Sequence, residues 1–178
     1  FNGYTILQLI NTFYPWRAVS SNTLHNLTRP WIYVTHLGAE LSVLGMLSNF
    51  LWLYLFGFII QDLKGKNSVW PLFVIAGVAC ALMVAICVAI NPATLQSGFY
   101  YGMRAALLAV AVAACLFRPT YKVFQMFNGG FSVWILGVIF LLLSLTKGQL
   151  DIANIVAMLT AIAIGYMYNN VLEKSFDN

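Results

Sequence analysis

The chain has 178 residues, of which 61% are hydrophobic and 8% charged, and its formal net charge is +4. Soluble domains carry roughly 25% charged residues, so this composition, with a mean hydropathy of +0.84, excludes an ordinary water-soluble domain and predicts an integral membrane protein. The basic residues do not cluster along the chain, which argues against nucleic acid as a partner.

The first residues predict an interfacial segment. Phe1–Tyr14 is amphipathic and reaches about 21 Å as a helix, which is too short to cross a hydrocarbon core of about 30 Å. We therefore expect residues 1–30 to form an external or interfacial segment and loop, with Trp16 and Arg17 at headgroup depth. Because the chain begins at Phe rather than Met, we expect further residues upstream of it.

Five long apolar stretches follow, and each predicts a transmembrane helix: Trp31–Ile60, Val69–Ile90, Phe99–Phe117, Phe131–Thr146 and Ile152–Met167. About 20 helical residues cross a bilayer, so the stretch at Phe131 is short and the other four are long enough or nearly so. No period-2 pattern suggests a barrel, and apolar segments in lipid satisfy their backbone groups as helices. The predicted fold class is an all-α bundle of about five transmembrane helices over residues 31–170, with a short polar tail at 171–178.

Basic residues in the connecting segments predict the orientation of this bundle. One side receives Lys64, Lys66, Arg118, Lys122 and Lys174, and the other receives Arg17, Arg29 and Lys147. Since cytoplasmic segments carry the excess of Lys and Arg, we predict a cytoplasmic C-terminus. Arg104 is left inside a predicted span, where a charge is costly and normally finds a partner or water.

The cysteines and histidines do not indicate a metal or a cofactor. Cys80, Cys87 and Cys115 fall within predicted spans without metal-ligand spacing, and we interpret them as small buried side chains. His25 and His36 fall in or beside the external loop, where we expect His36 to be an interfacial residue. No serine lies near either histidine at a spacing that predicts a catalytic pair, so we expect no relocated hydrolase chemistry.

The segment from Arg29, RPWIYVTHLGAELSVLGMLSNFLWLYLFG, resembles the second transmembrane helix of bacterial rhomboid intramembrane proteases, which follows a pattern like PW–VT–FLHxxxxHILFNMLWLYWFG. Eleven positions agree without a gap: Pro30, Trp31, Val34, Thr35, Asn49, Leu51, Trp52, Leu53, Tyr54, Phe56 and Gly57. Pro119 and Tyr121 form a P-x-Y turn like that after the fourth rhomboid helix, and Gly165–Tyr168 (GYMY) is similar to the family's GYLY ending. The resemblance implies rhomboid helices two to six, without the family's first helix, and a location in the bacterial inner membrane.

The same resemblance assigns the positions of the family's catalytic residues. Rhomboids cut peptide bonds with a serine on the fourth helix that a histidine on the sixth activates, and here these positions hold Arg104 and Met158. The two histidines of the second helix are replaced by Glu40 and Gly45, and the oxyanion-stabilising asparagine is retained as Asn49. A guanidinium cannot attack a carbonyl and a thioether cannot act as a base, so the resemblance implies a chain that is not an enzyme.

Glu40 is the only acid predicted near the depth of Arg104, and we hypothesise that the two form a charge pair where the protease has its hydrated active site. Two alternatives stay open. In a continuous helix Glu40 would lie roughly 140° around the axis from Gly45, and Arg104 could extend to the outer surface instead.

Small residues predict close packing between the fourth and sixth rhomboid helices. They include Gly102, Ala106, Ala157, Ala161 and Gly165, and small side chains let helix backbones approach closely in lipid. The alternative is an ordinary alanine-rich membrane helix.

The favoured function is that of a rhomboid pseudoprotease, an inactive homologue that binds other integral membrane proteins, either as a fixed subunit of a complex or as a factor that captures transmembrane clients. The resemblance implies a lateral opening between helices two and five, and several aromatic side chains are candidates to line it: Trp52, Tyr54, Phe56, Phe131 and Trp134. Expected partners are membrane lipids and membrane proteins. An active protease with atypical residues is the alternative, and a transporter would require more intramembrane polar residues along one pathway.

Overall fold

The structure is a computed structural model that describes residues 16–40, 42–65, 68–96, 99–100, 102–123, 130–147 and 151–176, with side chains omitted at 63, 64, 147 and 171–176. The predicted interfacial segment Phe1–Tyr14 lies outside the described residues. The helices are α1 (Thr23–Thr28), α2 (Ile32–Thr35), α3 (Val43–Lys64), α4 (Val69–Ile90), α5 (Arg104–Phe117), α6 (Val133–Lys147) and α7 (Ile152–Phe176). Short 3-10 turns at His36–Gly38 and Pro92–Thr94 lie between them.

Two very short antiparallel strand pairs accompany the helices. Strand β1 (Val19–Ser20) pairs with β2 (Phe99–Tyr100), and β3 (Lys122–Val123) pairs with β4 (Phe131–Ser132). The first pair joins the segment before α1 to the segment before α5. The sequence did not predict either pair, because two residues are too few for a recognisable alternation.

The all-α membrane fold is confirmed. Three described helices are long and apolar enough to cross a membrane, at Val43–Asp62, Val69–Ile90 and Ile152–Asn170, and two shorter apolar helices accompany them, at Arg104–Phe117 and Val133–Thr146. Short connections join α3 to α4 and α6 to α7, so each of these pairs runs antiparallel. Tyr121 beyond the end of α5 donates its hydroxyl to Asp62 near the end of α3 at 2.7 Å, which places those two ends at the same side of the bundle.

The prediction that Trp31–Ile60 forms one continuous transmembrane helix is wrong. The chain forms α2 and a 3-10 turn, then becomes extended at Ala39, and α3 begins at Val43. Ser42 caps this helix, because its extended backbone lets the hydroxyl accept from the Gly45 N–H at 3.3 Å. Glu40 therefore precedes the helix rather than being part of it.

The third stretch also begins later than predicted. Phe99 and Tyr100 form β2, and α5 begins at Arg104. Arg104, which the sequence predicts inside a span and near its outer end, is thus the first residue of its helix. A guanidinium at this place lies at the end of the bundle, where water and partners are nearer than at mid-membrane.

Helix α5 lies at the centre of the bundle and packs against α3, α4, α6 and α7. Most of its residues are buried, as in the run from Ala105 to Ala111. A Cβ added to Gly165 on α7 would lie 2.6 Å from the carbonyl oxygen of Ala109, so the two backbones are in contact there. The thiol of Cys80 on α4, which is fully buried, donates to the Ala157 carbonyl at 3.3 Å and joins a third helix to this core.

Candidate functional site

The site begins with Glu40, which lies in the extended segment before α3. Its side chain is 6% exposed, and it fits against two glycines. A Cβ added to Gly45 would lie 3.1 Å from Oε1 of Glu40, and one added to Gly102 would lie 3.3 Å from Oε2. The glycines therefore leave the space that the carboxylate occupies.

A turn before α5 brings the next residue into place. Gly102 has φ of +91°, a conformation that favours glycine, and its N–H donates to the His36 carbonyl at 2.8 Å. This bond links the loop before α5 to the 3-10 turn that precedes Glu40. Arg104 consequently begins its helix beside the carboxylate.

Arg104 and Glu40 form the ion pair that we hypothesised, with 3.6 Å between Nη2 and Oε1. The second carboxylate oxygen accepts a hydrogen bond from Nδ2 of Asn49 at 2.8 Å. In a continuous helix Glu40 would point away from Gly45, but the helix begins only at Val43, so Glu40 is free to lie beside Gly45. Three positions that the alignment assigned to the protease site, those of Glu40, Asn49 and Arg104, are thus in contact, and Gly45 adjoins them.

A small cavity of about 20 Å³ lies beside the ion pair, between α3, α5 and α6. Its lining residues are Gly45, Ser48, Asn49, Trp52, Arg104, Phe140, Leu143 and Ser144. A volume of this size holds about one water molecule. The cavity combines polar side chains near the guanidinium with an apolar wall.

Two serines of this cavity, Ser48 and Ser144, were not predicted from the sequence. Ser48 lies three residues from Gly45 and four from Trp52, so helical periodicity could have placed it on the cavity side of α3. Ser144 carried no such signal, because its hydroxyl faces the site only through the packing of α6. That hydroxyl donates to the Phe140 carbonyl at 2.8 Å.

His36 is buried, with 1% of its surface exposed, so the prediction of an interfacial residue is wrong. Its ring centroid lies 5.5 Å from that of Tyr100, and Nδ1 is 3.3 Å from the Ile32 carbonyl. Burial lowers the pKa of His36 to about 4, so the imidazole is neutral at neutral pH. It fastens the segment before Glu40 to β2 through packing.

His25 belongs to a separate cluster on the external segment. Its Nε2 lies 2.8 Å from the Arg29 guanidinium, which in turn stands over the Trp16 ring at 4.2 Å. Burial and the Arg29 charge both lower the pKa of His25. Neither histidine therefore belongs to the Arg104 cavity.

Met158 is half-buried on α7 and packs against the hydrophobic core. It is not among the described residues that line the cavity. Of the small residues predicted for helix packing, Ala106 on α5 and Ala157 and Ala161 on α7 are buried, and Gly165 lies against the α5 backbone. Gly102 lies in the turn before α5 and contacts Glu40, so its prediction as a helix-packing residue is wrong.

The family model for the Rhomboid domain matches residues 27–174. The chain belongs to the rhomboid family. A search of curated proteins found no match. Rhomboid proteins form a family of serine proteases, and the match covers every helix from α3 to α7 apart from the last residues of α7. The ion pair and its cavity therefore lie within a rhomboid membrane domain.

Proposed function

We propose that this rhomboid is non-catalytic and binds other membrane proteins through the side of the bundle between α3 and α6. The observation that supports this most directly is the contact of Glu40 with Arg104 and with Asn49 at the site to which the resemblance assigns the catalytic serine. A charge pair occupies the place where a nucleophile would have to meet the scissile carbonyl.

The chemistry of these groups argues against peptide hydrolysis. Arginine remains protonated and offers only donors, so it cannot act as nucleophile or base. The Glu40 carboxylate is held by a guanidinium on one oxygen and an amide on the other, and a serine nucleophile needs a free base within hydrogen-bond reach. Asn49 binds this ground-state carboxylate instead of a developing oxyanion.

Three aromatic rings bridge α3 and α6 next to the cavity. The Phe140 centroid is 5.3 Å from that of Trp52 and 5.8 Å from that of Phe56. Phe56 is fully buried and Trp52 is half-buried, and both rings lie at the contact between α3 and α6, where the resemblance implies the lateral opening. Aromatic side chains, and not closely packed backbones, thus form the contact between α3 and α6. A partner helix could separate the two helices at this contact by displacing those side chains.

Exposed apolar residues are also present on both helices. Leu143 on α6 is exposed and lines the cavity. Tyr54 on α3 is exposed on the side toward α4, since it lines a pocket with Val69 and Trp70, and Trp134 and Phe131 are exposed at the other end of α6. Lipid satisfies such a surface, and so does the helix of a partner, with little difference in hydrophobic energy. A preference for a protein partner over lipid would therefore come from van der Waals packing against this surface and from polar contacts in the cavity.

Photocrosslinking tests this assignment in the native membrane. A photoreactive residue replaces Leu143, which lines the cavity, and a matched one replaces Ile86, which is exposed on α4 and also lies four residues before the end of its helix. We expect discrete protein adducts from position 143 and none from position 86. Equal adducts at both positions, or lipid adducts alone at 143, would contradict the proposal.

Quantitative mass spectrometry of the purified adducts separates the two forms of the proposal. A single companion at fixed stoichiometry indicates a subunit of a membrane complex. A range of unrelated transmembrane proteins indicates a factor that captures clients.

The second candidate is an active protease with atypical residues, and the hydroxyls of Ser48 and Ser144 in the cavity are what favour it. Incubation of the purified protein with a generic transmembrane substrate tests it. We expect no specific cleavage. Specific cleavage that is lost in Ser48→Ala or Arg104→Ala would overturn the non-catalytic assignment, provided that Thr146→Val, a change outside the cavity lining, keeps it.

A further inference from the structure

The external segment carries a second cluster, in which the Arg29 guanidinium lies between a histidine and an aromatic ring. Its Nη1 is 2.8 Å from Nε2 of His25, and its Cζ is 4.2 Å from the centroid of the Trp16 ring. We propose that His25 and Arg29 form an acid-sensitive clamp, which holds Trp16 against the end of α1 while His25 is neutral and releases it when His25 is protonated. This inference is independent of the partner binding proposed above.

The direction of the hydrogen bond between His25 and Arg29 follows from the chemistry of the two side chains. A guanidinium only donates, so Nε2 of His25 must accept. An imidazole that accepts at Nε2 is neutral and carries its proton on Nδ1. Protonation would add a hydrogen to Nε2, and two donors with two positive charges would then face each other at 2.8 Å. The hydrogen bond cannot persist in that state.

The protonated ring would also lack any acceptor in its present position. Nδ1 of His25 is buried and has no hydrogen-bond partner among the described residues, and Nε2 faces Arg29. A charged donor that is buried without an acceptor is costly. Because His25 as a whole is only half-buried, its ring can turn toward water. That movement takes the acceptor away from Arg29 and opens the clamp.

The elements around α1 supply no countercharge that would keep a protonated ring in place. Helix α1 packs chiefly against β1 and α4, which contain no acidic or basic residue, and their titratable side chains are the thiols of Cys80 and Cys87. Arg17, just before β1, is exposed and has the same sign as Arg29. Burial and the Arg29 charge both lower the pKa of His25 below 6.5. The clamp is therefore closed at neutral pH and opens as the pH falls.

A second contact, which does not titrate, confines the release to Trp16. Asn26 is buried and bonds the backbone of Ser20 twice. Its Oδ1 accepts from the Ser20 N–H at 2.9 Å, and its Nδ2 donates to the Ser20 carbonyl at 2.8 Å. Since neither an amide side chain nor the backbone changes its charge in mild acid, α1 stays on β1 while Trp16 is freed.

The test uses the full chain in lipid nanodiscs, labelled with 5-fluorotryptophan. The fluorine resonance of Trp16 is followed from about pH 8 to about pH 5, where histidine is the side chain that ordinarily titrates, and His36 titrates lower, with a pKa of about 4. Trp16→Phe assigns this resonance. Trp31, an exposed ring just before α2, is assigned in the same way and is the internal control.

We expect the Trp16 resonance to move with a single midpoint below pH 6.5, and the Trp31 resonance to stay in place. A soluble gadolinium chelate, which broadens the lines of rings in contact with water, gives a second readout. Because Trp16 is 56% exposed in the closed clamp, its broadening should rise on release by up to about twofold.

Two variants tie the titration to the clamp. In His25→Gln the side-chain carbonyl oxygen can accept from Arg29 but does not titrate, so the Trp16 resonance should stay near its neutral-pH position throughout. Arg29→Gln keeps the histidine and removes the cation, so its Trp16 resonance should lie at the released position at every pH. Circular dichroism and gel filtration establish that both variants fold.

Three results would overturn the clamp. The first is a Trp16 resonance that stays fixed over this range in the unmodified chain. The second is an equal shift in His25→Gln or an unchanged titration in Arg29→Gln, either of which would assign the titration to another group. The third is a parallel movement of the Trp31 resonance, which would indicate acid unfolding of the whole segment in place of a local release.

Discussion

Removal of the Arg104 charge is the most direct test of the site's energetics. In Arg104→Met the Glu40 carboxylate stays almost enclosed, with Asn49 as the partner of one oxygen. Breaking a buried ion pair by removing one partner costs about 3–5 kcal/mol. Because the Arg104 side chain is one-third exposed, water screens part of the attraction, and we expect a loss of about 1–3 kcal/mol in the free energy of unfolding.

The assay is equilibrium unfolding in mild detergent, arranged as a double-mutant cycle. Glu40→Gln with Arg104→Met removes both charges and keeps an acceptor for Asn49, so it should recover at least half of the loss. Arg118→Met is the matched control, since Arg118 is exposed just beyond the other end of the same helix, and it should change stability by less than about 0.5 kcal/mol. A coupling energy near zero would refute the ion pair as a structural element.

Two further predictions concern the residues that position the site. Burial lowers the pKa of His36 to about 4 in the folded protein, against about 6.5 in the unfolded chain. Because the unfolded state binds more protons, the free energy of unfolding should fall by about 3 kcal/mol as the pH drops from 6.5 to 4. His36→Phe should flatten that part of the pH–stability profile, and an unchanged slope would contradict the prediction. Gly165→Ala places a Cβ 2.6 Å from the Ala109 carbonyl oxygen and should lower the free energy of unfolding by about 1–3 kcal/mol. Gly38→Ala is the control, because the space around Gly38 is open, and it should leave the stability unchanged. Equal shifts of the melting temperature in the two variants would refute close packing of α5 and α7.

Under the proposed function, a return to protease activity would need more than one substitution. Arg104→Ser would free one oxygen of Glu40, while Asn49 would still bind the other. It would not return a histidine, because Met158, to which the resemblance assigns that position, packs against the core. The nucleophile, the base and most of the oxyanion support would have to return together.

The sequence already determined the solvent and the class of fold. A chain with so few charges can bury its apolar surface only in lipid, and backbone groups in lipid must pair within their own helix, so each span is decided locally. The resemblance likewise aligned Arg104, Glu40 and Asn49 with one functional site.

Only the tertiary structure decided where the helices begin and which side chains meet. Several residues before Val43 and before Arg104 are apolar and buried in the core, among them Ile32, Leu37, Tyr100 and Met103. The apolar character therefore continues past the helix and does not mark where it begins. The break before α3 and the left-handed turn at Gly102 depend on contacts between distant segments, such as the Gly102 bond to His36. Those contacts place a carboxylate against a guanidinium 64 positions later, which no local pattern in the chain could specify.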